Sequence, residues 1–338
     1  MVFRAQNAAN KNIPDIKAIP MQTLPLKLIA ACLFASPLAA HAVSIADAGY
    51  ATAQGTAYVV KLLLEDQIGA ETKIVPTASV PVIWEALNRN SGEIDIWTDV
   101  WLPNQAGLVE QYAGEGRNVT LADNAYVGTQ GYCTLSRTAK DHDIHSVYDL
   151  SDPAKAKVFA PKGSERGQIW LGAAGWLSTN FDEIRARDYG FAPFFELVRS
   201  DEAVATAALD AASKGNGAWI GYCYAPHQNY VRYDLTNLEE PRHDPATWQV
   251  VNQSDPDWLA KSHIGSAYKD AAIHIAYSKH FAKANPEGAR IVEAVHFDTK
   301  DVNALAYAIS VEGKTPTQAA RAWLDANAER VAGWLAAK

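Results

Sequence analysis

Cysteine, positive charge and long apolar runs are scarce in this sequence, and each shortage excludes a class of protein. Three cysteines among 338 residues are too few for a disulfide-built scaffold or a cysteine-built zinc module. The 30 lysines and arginines face 38 aspartates and glutamates, and the net charge of −8 argues against nucleic-acid binding through a general basic surface. After the N-terminal region, no segment holds the roughly 18 uninterrupted apolar residues of a membrane span. Apolar residues make up 48% and charged residues 20%, a globular composition, and the length predicts two domains.

Sequence signatures of common enzyme classes are also missing. In residues 163–167 the serine directly follows a glycine, so the segment is not the G-x-S-x-G motif of a nucleophilic serine. Neither a P-loop nor an H-E-x-x-H motif occurs, and residues 128–131 lack the third glycine of a dinucleotide fingerprint. His142 and His145 have a spacing that suits a metal on a helix, but their polar surroundings favour a solvated loop. We therefore expect no cofactor, no metal site and no enzymatic activity.

Residues 1–42 have the features of a secretory signal peptide. Lys27 precedes an uncharged apolar run over 28–38, too short to span a bilayer, and an Ala-His-Ala pattern for signal peptidase follows. The polar stretch before Met21 leaves Met21 open as the true start. Cys32 offers a lipoprotein alternative, although cleavage there would leave a very short apolar core. The expected location of the mature chain is the periplasm of a Gram-negative cell, or outside the cell.

Two cysteines, Cys133 and Cys223, remain after removal of this leader. In an oxidising compartment they either form a disulfide or stay two buried free thiols, and the sequence leaves both alternatives open.

Helix and strand patterns alternate along the mature chain, which predicts an α/β fold with a largely parallel sheet. The predicted elements of a first unit are helices over 56–68, 82–87 and 104–112 and strands over 72–75 and 93–101. Those of a second unit are strands over 157–160, 194–198 and 218–224 and helices over 168–178 and 201–212. A strand near 131 leaves the first unit, and a strand at 248–251 returns to it, so we expect two lobes on a two-stranded hinge. The lobes would be 43–131 with 249–338, and 132–248, around one cleft.

Aromatic residues with polar tips are over-supplied, with 10 Trp and 14 Tyr against nine Phe. The strand period of two places Asp95, Trp97, Asp99 and Trp101 on one face, with Trp101 at the carboxyl end of the strand. Four tyrosines also lie at or near the ends of predicted strands: Tyr50, Tyr132, Tyr222 and Tyr224. Core packing explains any one of these rings, but jointly they indicate an aromatic cleft.

An aromatic cleft attracts cations, because each ring face contributes roughly 0.5–2 kcal/mol to binding a positive group. A trimethylammonium head suits such a cleft, although sugars also stack on aromatic rings. The tryptophans on apolar helix faces are expected in the core instead: Trp84, Trp170, Trp176, Trp323 and Trp334.

Several motifs in chain order resemble one known family. They are Asp-Ala-Gly-Tyr at 47–50, the Asp-Ile strand at 93–96 leading to Trp-Leu-Pro at 101–103, Gly-Tyr-Cys-Thr-Leu at 131–135, the segment 221–227 ending in Tyr-Ala-Pro-His, and Ala-Trp-Leu at 322–324. Together they resemble the glycine betaine/choline (quaternary ammonium) substrate-binding proteins of ABC importers, from about 45 to 335. The resemblance implies the type II periplasmic binding protein fold, whose two lobes close on a ligand.

The resemblance also implies ligand-binding residues. It places Tyr50, Trp101, Tyr132 and Tyr224 in an aromatic box, with Trp97 as a further wall or support. Tyr50 and Tyr224 stand where tryptophan is more usual. Choline-binding relatives have an acid two residues after the first ring, where this chain has Thr52, which favours a zwitterion over choline.

A betaine carboxylate needs donors, and the sequence offers three candidates. Residues 163–165 are expected to open a helix whose free N–H groups suit an anion, which makes Ser164 and Arg166 candidates together with His227. The expected partners are a small quaternary ammonium or zwitterionic ligand and an ABC permease of the inner membrane, with the receptor acting as a monomer. Alternatives are a receptor of the same fold for dimethylsulfoniopropionate, carnitine, trimethylamine N-oxide, a polyamine or a sugar, and a secreted enzyme on a two-lobed scaffold.

Overall fold

The computed structural model describes residues 42–253 and 255–336. The predicted leader, 1–42, lies outside the described residues except for Ala42, as do Met21 and Cys32. Within the described part of the chain, no helix is long and apolar enough to cross a membrane.

The first half of the chain builds alternating strands and helices around a buried central strand. Its elements are β1 (Val43–Asp47), α1 (Ala51–Ile68), β2 (Thr72–Pro76), α2 (Val80–Arg89), β3 (Ile96–Leu102), α3 (Ala106–Tyr112), β4 (Val119–Leu121) and β5 (Tyr126–Leu135). β1 is buried along its whole length and pairs in parallel with β2 on one side and β3 on the other. Gly69 ends α1 in a left-handed conformation (φ 62°), where the sequence pattern predicts the helix to stop.

A second α/β unit follows, with its own parallel strands. Its elements are α4 (Ser136–Asp141), α5 (Pro153–Lys157), β6 (Gly167–Gly172), α6 (Leu177–Asp188), β7 (Phe195–Arg199), α7 (Glu202–Lys214), β8 (Ile220–Ala225), α8 (Asn229–Arg232) and β9 (Leu235–Asn237), with short 3₁₀ helices at Val147–Ser151 and Ala192–Phe194. β6 pairs in parallel with both β7 and β8.

The C-terminal part returns to the first unit and is largely helical. Its elements are β10 (Trp248–Gln249), α9 (Trp258–Lys261), β11 (His263–Ile264), β12 (Ala271–Ser278), α10 (Lys279–Ala284), α11 (Pro286–Ala294), α12 (Thr299–Ser310), α13 (Pro316–Ala326) and α14 (Ala328–Ala336). Thr315 caps α13 in a capping box, with Gln318 completing it.

The order of neighbouring strands in the sheet is β2-β1-β3-β12-β5-β8-β6-β7, and β5 connects the two units. Its first residues, Tyr126 to Gly128, pair with β12, whereas Thr129 to Thr134 pair with β8. We call the unit around β1, β2, β3 and β12 the first lobe and the unit around β6, β7 and β8 the second lobe.

Three predicted elements differ in the structure. The strand expected at 248–251 is the short β10, which pairs with β11 only, while β12 is the strand that returns to the first lobe. The strand expected at 157–160 is instead the end of α5 and the turn that follows it, because the Asp152 side chain caps this helix and Pro153 begins it.

The helix expected at 168–178 is a strand in its first part, β6, followed by a loop, and its last two residues belong to α6. Gly167 permits the close pairing of β6 with β7, because a Cβ at this position would lie 2.6 Å from the Phe195 ring and 2.5 Å from the Ala156 backbone oxygen.

Candidate functional site

A small cavity lies between the two lobes and is lined mainly by aromatic side chains. It encloses about 410 Å³ of atom-free space, part of it open to solvent. The lining residues are Tyr50, Val80, Trp101, Asn104 and Gln105 from the first lobe and Trp176, Leu177, Ser178, Tyr222 and Tyr224 from the second lobe. No lysine, arginine or histidine of the described residues lines it. We call it the aromatic cavity.

Strand ends and helix starts position the rings of the first lobe. Tyr50 is the residue before α1 and directly follows Gly49, whose positive φ of 84° turns the chain out of β1. Trp101 lies at the end of β3, just before Leu102 and the cis Pro103. Both rings therefore project from the carboxyl edge of the first lobe's parallel strands, where open α/β sheets form ligand clefts.

The second lobe contributes three rings to the same cavity. Tyr222 and Tyr224 stack at 5.8 Å near the end of β8, and Trp176 packs edge-on against Tyr224 at 5.9 Å. Contacts across the lobes join Tyr50 to Trp176 at 5.0 Å and Trp101 to Tyr224 at 5.6 Å, measured between ring centroids. The two lobes thus share one continuous aromatic cluster.

The amide groups in the cavity wall are already paired within the protein. Asn104 and Gln130 exchange two hydrogen bonds of 2.5 and 3.1 Å, and the Tyr222 hydroxyl donates to Gln130 at 2.8 Å. Gln105 accepts from the Trp84 indole at 2.7 Å and donates to the Asp99 backbone oxygen at 3.0 Å. These pairs fix the wall and leave the ring faces as its principal free surface.

Two buried carboxylates lie behind the rings. The Tyr50 hydroxyl donates to Asp99, and the Tyr224 hydroxyl donates to Glu202 at 2.5 Å. Burial raises the pKa of Asp99 to about 6, although the hydrogen bond from Tyr50 opposes that rise. Burial raises the pKa of Glu202, but His227 at 3.2 Å together with the hydrogen bonds from Tyr224 and Gln228 lowers it below its usual value. Burial and then Asp99 raise the pKa of Tyr50 well above 10, so its ring stays neutral.

Three of the four rings predicted for the box line the aromatic cavity: Tyr50, Trp101 and Tyr224. The fourth, Tyr132, does not. It lies opposite Tyr222 in the β5–β8 pairing but is completely buried, and its ring packs over the Arg185 guanidinium at 4.6 Å. Its hydroxyl donates to Asp182 of α6, so the ring is held against that helix and not in the cavity.

Trp97 is likewise placed in the interior. It is completely buried in the first-lobe core with Trp84 and Leu87, four residues before Trp101 on the same strand. It does not line the aromatic cavity.

The three predicted carboxylate donors also lie outside the cavity lining. The helix expected at 163–165 is a turn, where the Ser164 hydroxyl and the Arg166 backbone bond to each other. The Arg166 guanidinium donates to the Phe195 backbone oxygen. His227 packs against the Tyr224 ring at 4.6 Å and pairs with Glu202, so it supports the wall from behind.

Sequence reasoning missed Trp176 and Ser178 as lining residues. Trp176 was expected in the core of a helix over 168–178, but it ends the loop after β6 and is the residue before α6. A strand assignment for 167–172 would have placed this loop at the same carboxyl edge as Trp101. Trp84, Trp170, Trp323 and Trp334 are buried as expected.

Cys133 and Cys223 form a disulfide in the structure, with Cα atoms 5.7 Å apart. It joins β5 to β8, with Cys133 directly after Tyr132 and Cys223 directly after Tyr222. Of the two alternatives left open by the sequence, the structure contains the bonded pair.

Comparisons with known proteins fit this architecture. A family model described as the substrate binding domain of the ABC-type glycine betaine transport system matches residues 41–326. The glycine betaine/proline betaine-binding periplasmic protein of Salmonella typhimurium is 21% identical over 235 residues, covering 66% of this chain and 69% of that protein. Its Escherichia coli K12 counterpart is 21% identical over 254 residues, covering 72% and 75%.

Solved structures show the same fold. An ABC-transporter choline binding protein in complex with choline superposes with a TM-score of 0.69 at 20% identity, covering 88% of this chain and 93% of that chain. Lactococcal OpuAC in its closed-liganded conformation with glycine betaine gives a TM-score of 0.67 at 21% identity, covering 87% and 98%. The expected two-lobed α/β fold of periplasmic binding proteins is therefore confirmed. Because the family model spans most of the chain and every residue that lines the aromatic cavity, the protein belongs to the family of substrate-binding domains of ABC-type glycine betaine transport systems.

Proposed function

We propose that this protein is a periplasmic receptor that captures glycine betaine or a related quaternary ammonium compound in the aromatic cavity and delivers it to an ABC permease. The observation that carries the proposal is the convergence of Tyr50, Trp101, Trp176 and Tyr224 from both lobes on one cavity. A trimethylammonium group has no strong N–H donors, so ring faces suit it better than hydrogen-bonding groups do. Four rings at about 0.5–2 kcal/mol each give roughly 2–8 kcal/mol, enough with lobe closure for about millimolar to micromolar affinity.

The other end of a zwitterion would bind at the start of α6. Trp176 precedes this 12-residue helix without capping it by a side-chain hydrogen bond, and Leu177 and Ser178 of its first turn line the cavity. The first turn of α6 contains no acidic residue. Free backbone N–H groups and the positive end of the helix dipole favour a carboxylate there. This arrangement replaces Ser164, Arg166 and His227 as the proposed anion site.

Ligand binding would act through closure of the lobes. We propose lobe boundaries close to 43–131 with 249–338, and 132–248, since β5 changes its pairing from β12 to β8 at residues 128–129. A ligand that contacts rings of both lobes stabilises the closed state over the open state. The closed receptor, a monomer exported by its leader, would dock on the permease and release the ligand unchanged.

Calorimetry with purified mature protein tests the proposal directly. We expect saturable 1:1 binding of glycine betaine, and we expect native mass spectrometry of protein from its host to show a small co-purifying cation or zwitterion. Choline, carnitine, dimethylsulfoniopropionate, trimethylamine N-oxide, a polyamine and a sugar serve as competitors. Binding of the polyamine or the sugar in preference to every methylated compound would refute the proposal, and chemical conversion of the bound compound would favour an enzyme.

A further inference from the structure

The two carboxylates behind the aromatic cavity differ in one respect. Glu202 pairs with the imidazole of His227 at 3.2 Å and also accepts from the Tyr224 hydroxyl. Asp99 is fully buried and accepts from the Tyr50 hydroxyl, and the Trp101 indole also favours its ionised form, but no described group makes a hydrogen bond of normal geometry to its second oxygen, Oδ1. A buried carboxylate without a counter-charge is energetically unfavourable unless a cation comes close.

Among residues 42–253 and 255–336, no positively charged side chain contributes to the pKa of Asp99. The titratable groups that interact with it are Tyr50 from the start of α1, Tyr126 from β5, Tyr222 from β8 and Glu202 from α7. All four are neutral or negative near neutral pH. Within the described chain, the side chains that shift its pKa are Tyr50, Trp101 and Glu202, and none is positively charged.

We propose that Asp99 is a specificity-determining residue whose missing counter-ion is the positive head of the ligand, held on the other side of the Tyr50 ring. This inference rests on the proposed function, since it presumes a cationic head in the aromatic cavity. Asp99 does not line the cavity, so it acts through the intervening rings and not by contact. A hydroxyl that donates to a carboxylate also makes the Tyr50 ring more electron-rich, which strengthens its attraction for a cation.

The binding affinity should therefore depend on the charge of the ligand as well as on its shape. Choline carries one net positive charge and gains the full attraction of Asp99, whereas glycine betaine loses part of it through its own carboxylate. The neutral isostere 3,3-dimethyl-1-butanol, which has carbon in place of the choline nitrogen, gains none. Removing the Asp99 charge should weaken choline binding about tenfold, weaken betaine binding a few-fold and leave the isostere unchanged.

Protonation of Asp99 gives a second signature. Burial raises the pKa of Asp99 to about 6, so it is largely ionised at pH 7.5 and roughly one-tenth ionised at pH 5. The affinity ratio for choline between the protein and its Asp99→Asn variant should fall from about tenfold at pH 7.5 to about twofold at pH 5. Taking this ratio cancels the titration of other groups, because both proteins share them.

The experiment is calorimetric titration of choline, glycine betaine and 3,3-dimethyl-1-butanol at pH 7.5 and 5 into the protein, Asp99→Asn and Asp95→Asn. Asp95 is the matched control, a buried aspartate on the same strand segment that bonds to Ser44 and Ser278 away from the cavity. Asp95→Asn should bind all three ligands as the parent does. Equal choline affinity in the parent and Asp99→Asn, or a ratio that does not change with pH, would overturn the inference.

Tyr50→Phe provides a second variant that keeps the ring. It removes the hydrogen bond that lowers the Asp99 pKa, so the pH midpoint of choline binding should move upward, and an unmoved midpoint would contradict the inference. Failure of the parent protein to bind either quaternary ligand would refute the proposed function and this inference with it. Binding by the parent with no effect at Asp99 would refute this inference alone.

Discussion

Replacing Trp101 by leucine tests whether ring faces bind the ligand, since leucine keeps apolar bulk but has no π-system. Trp101 is 8% exposed and meets Tyr224 edge-on at 5.6 Å, so water is largely excluded from this side of the cavity. Under that condition a ring over a cation contributes toward the upper end of about 0.5–2 kcal/mol. We expect a loss of about 1–2 kcal/mol, which is about 5- to 30-fold weaker binding of glycine betaine by calorimetry.

Trp334 is the matched control for this substitution. It is 9% exposed and stacks on Trp323 at 5.8 Å in the C-terminal helices, away from the aromatic cavity. Both Trp→Leu changes remove buried ring atoms and should lower the free energy of unfolding by roughly 1–3 kcal/mol, measured by urea denaturation. Only the change at Trp101 should weaken binding. The reasoning is refuted if Trp101→Leu binds like the parent, or if Trp334→Leu loses as much affinity.

Three further predictions concern the second lobe. Replacing Cys133 and Cys223 by serine should lower the free energy of unfolding by about 2–5 kcal/mol, because the bond joins positions 90 residues apart, and an unchanged denaturation midpoint would contradict this. Arg185→Met should cost about 3–5 kcal/mol in the same assay, since it leaves Asp182 and Glu240 buried without a cation; a loss below about 1 kcal/mol would argue against that role. Burial raises the pKa of Asp182 to about 7 against the opposing pull of Arg185, so the folded state keeps a proton that the unfolded chain releases near pH 4. This contribution to stability is complete below about pH 4 and is lost toward pH 7, by at most about 1.4 kcal/mol per pH unit. The free energy of unfolding, compared with that of Asp182→Asn, should therefore fall between pH 5 and 7. A rise over this range would contradict the prediction.

The fold class followed from local patterns, but some elements required information from distant residues. Apolar patterns located β3 and β8, which are buried along nearly their whole length, and the end of α1, although that helix begins at Ala51 and not at the expected residue 56. β6 was misassigned as a helix, since a short apolar run has no clear period. Its strand state depends on pairing with β7 and β8, which lie more than 20 residues away in the chain. The residues of β6 alone do not predict that pairing.

Sequence analysis could predict a lining residue of the aromatic cavity only when the end of its strand was predicted correctly. Trp101, Tyr50 and Tyr224 were placed together because the carboxyl ends of parallel strands share one edge of a sheet. Trp176 was missed as a consequence of the β6 error, since its loop was assigned to a helix. The partners Asp99 and Glu202 come from separate lobes and bond to the cavity residues Tyr50 and Tyr224. Tyr50 and Tyr224, which stand where tryptophan is more usual, were the sequence signal for these two carboxylates, because a buried tyrosine hydroxyl requires a hydrogen-bond partner.

Tyr132 shows why an aromatic residue at the right strand can still be assigned to the wrong cation. Its ring does face a positive charge, but the charge is the Arg185 guanidinium, which also lies over Tyr268 at 4.5 Å and pairs with Asp182 and Glu240. The electrostatic attraction of a ring face is the same for an internal guanidinium as for a bound ammonium. What separates the two cases is the balance of charge. Arg185 is compensated by two carboxylates of its own chain, whereas Asp99 at the aromatic cavity has no positive partner among the described residues, and that deficit is what a cationic ligand would fill.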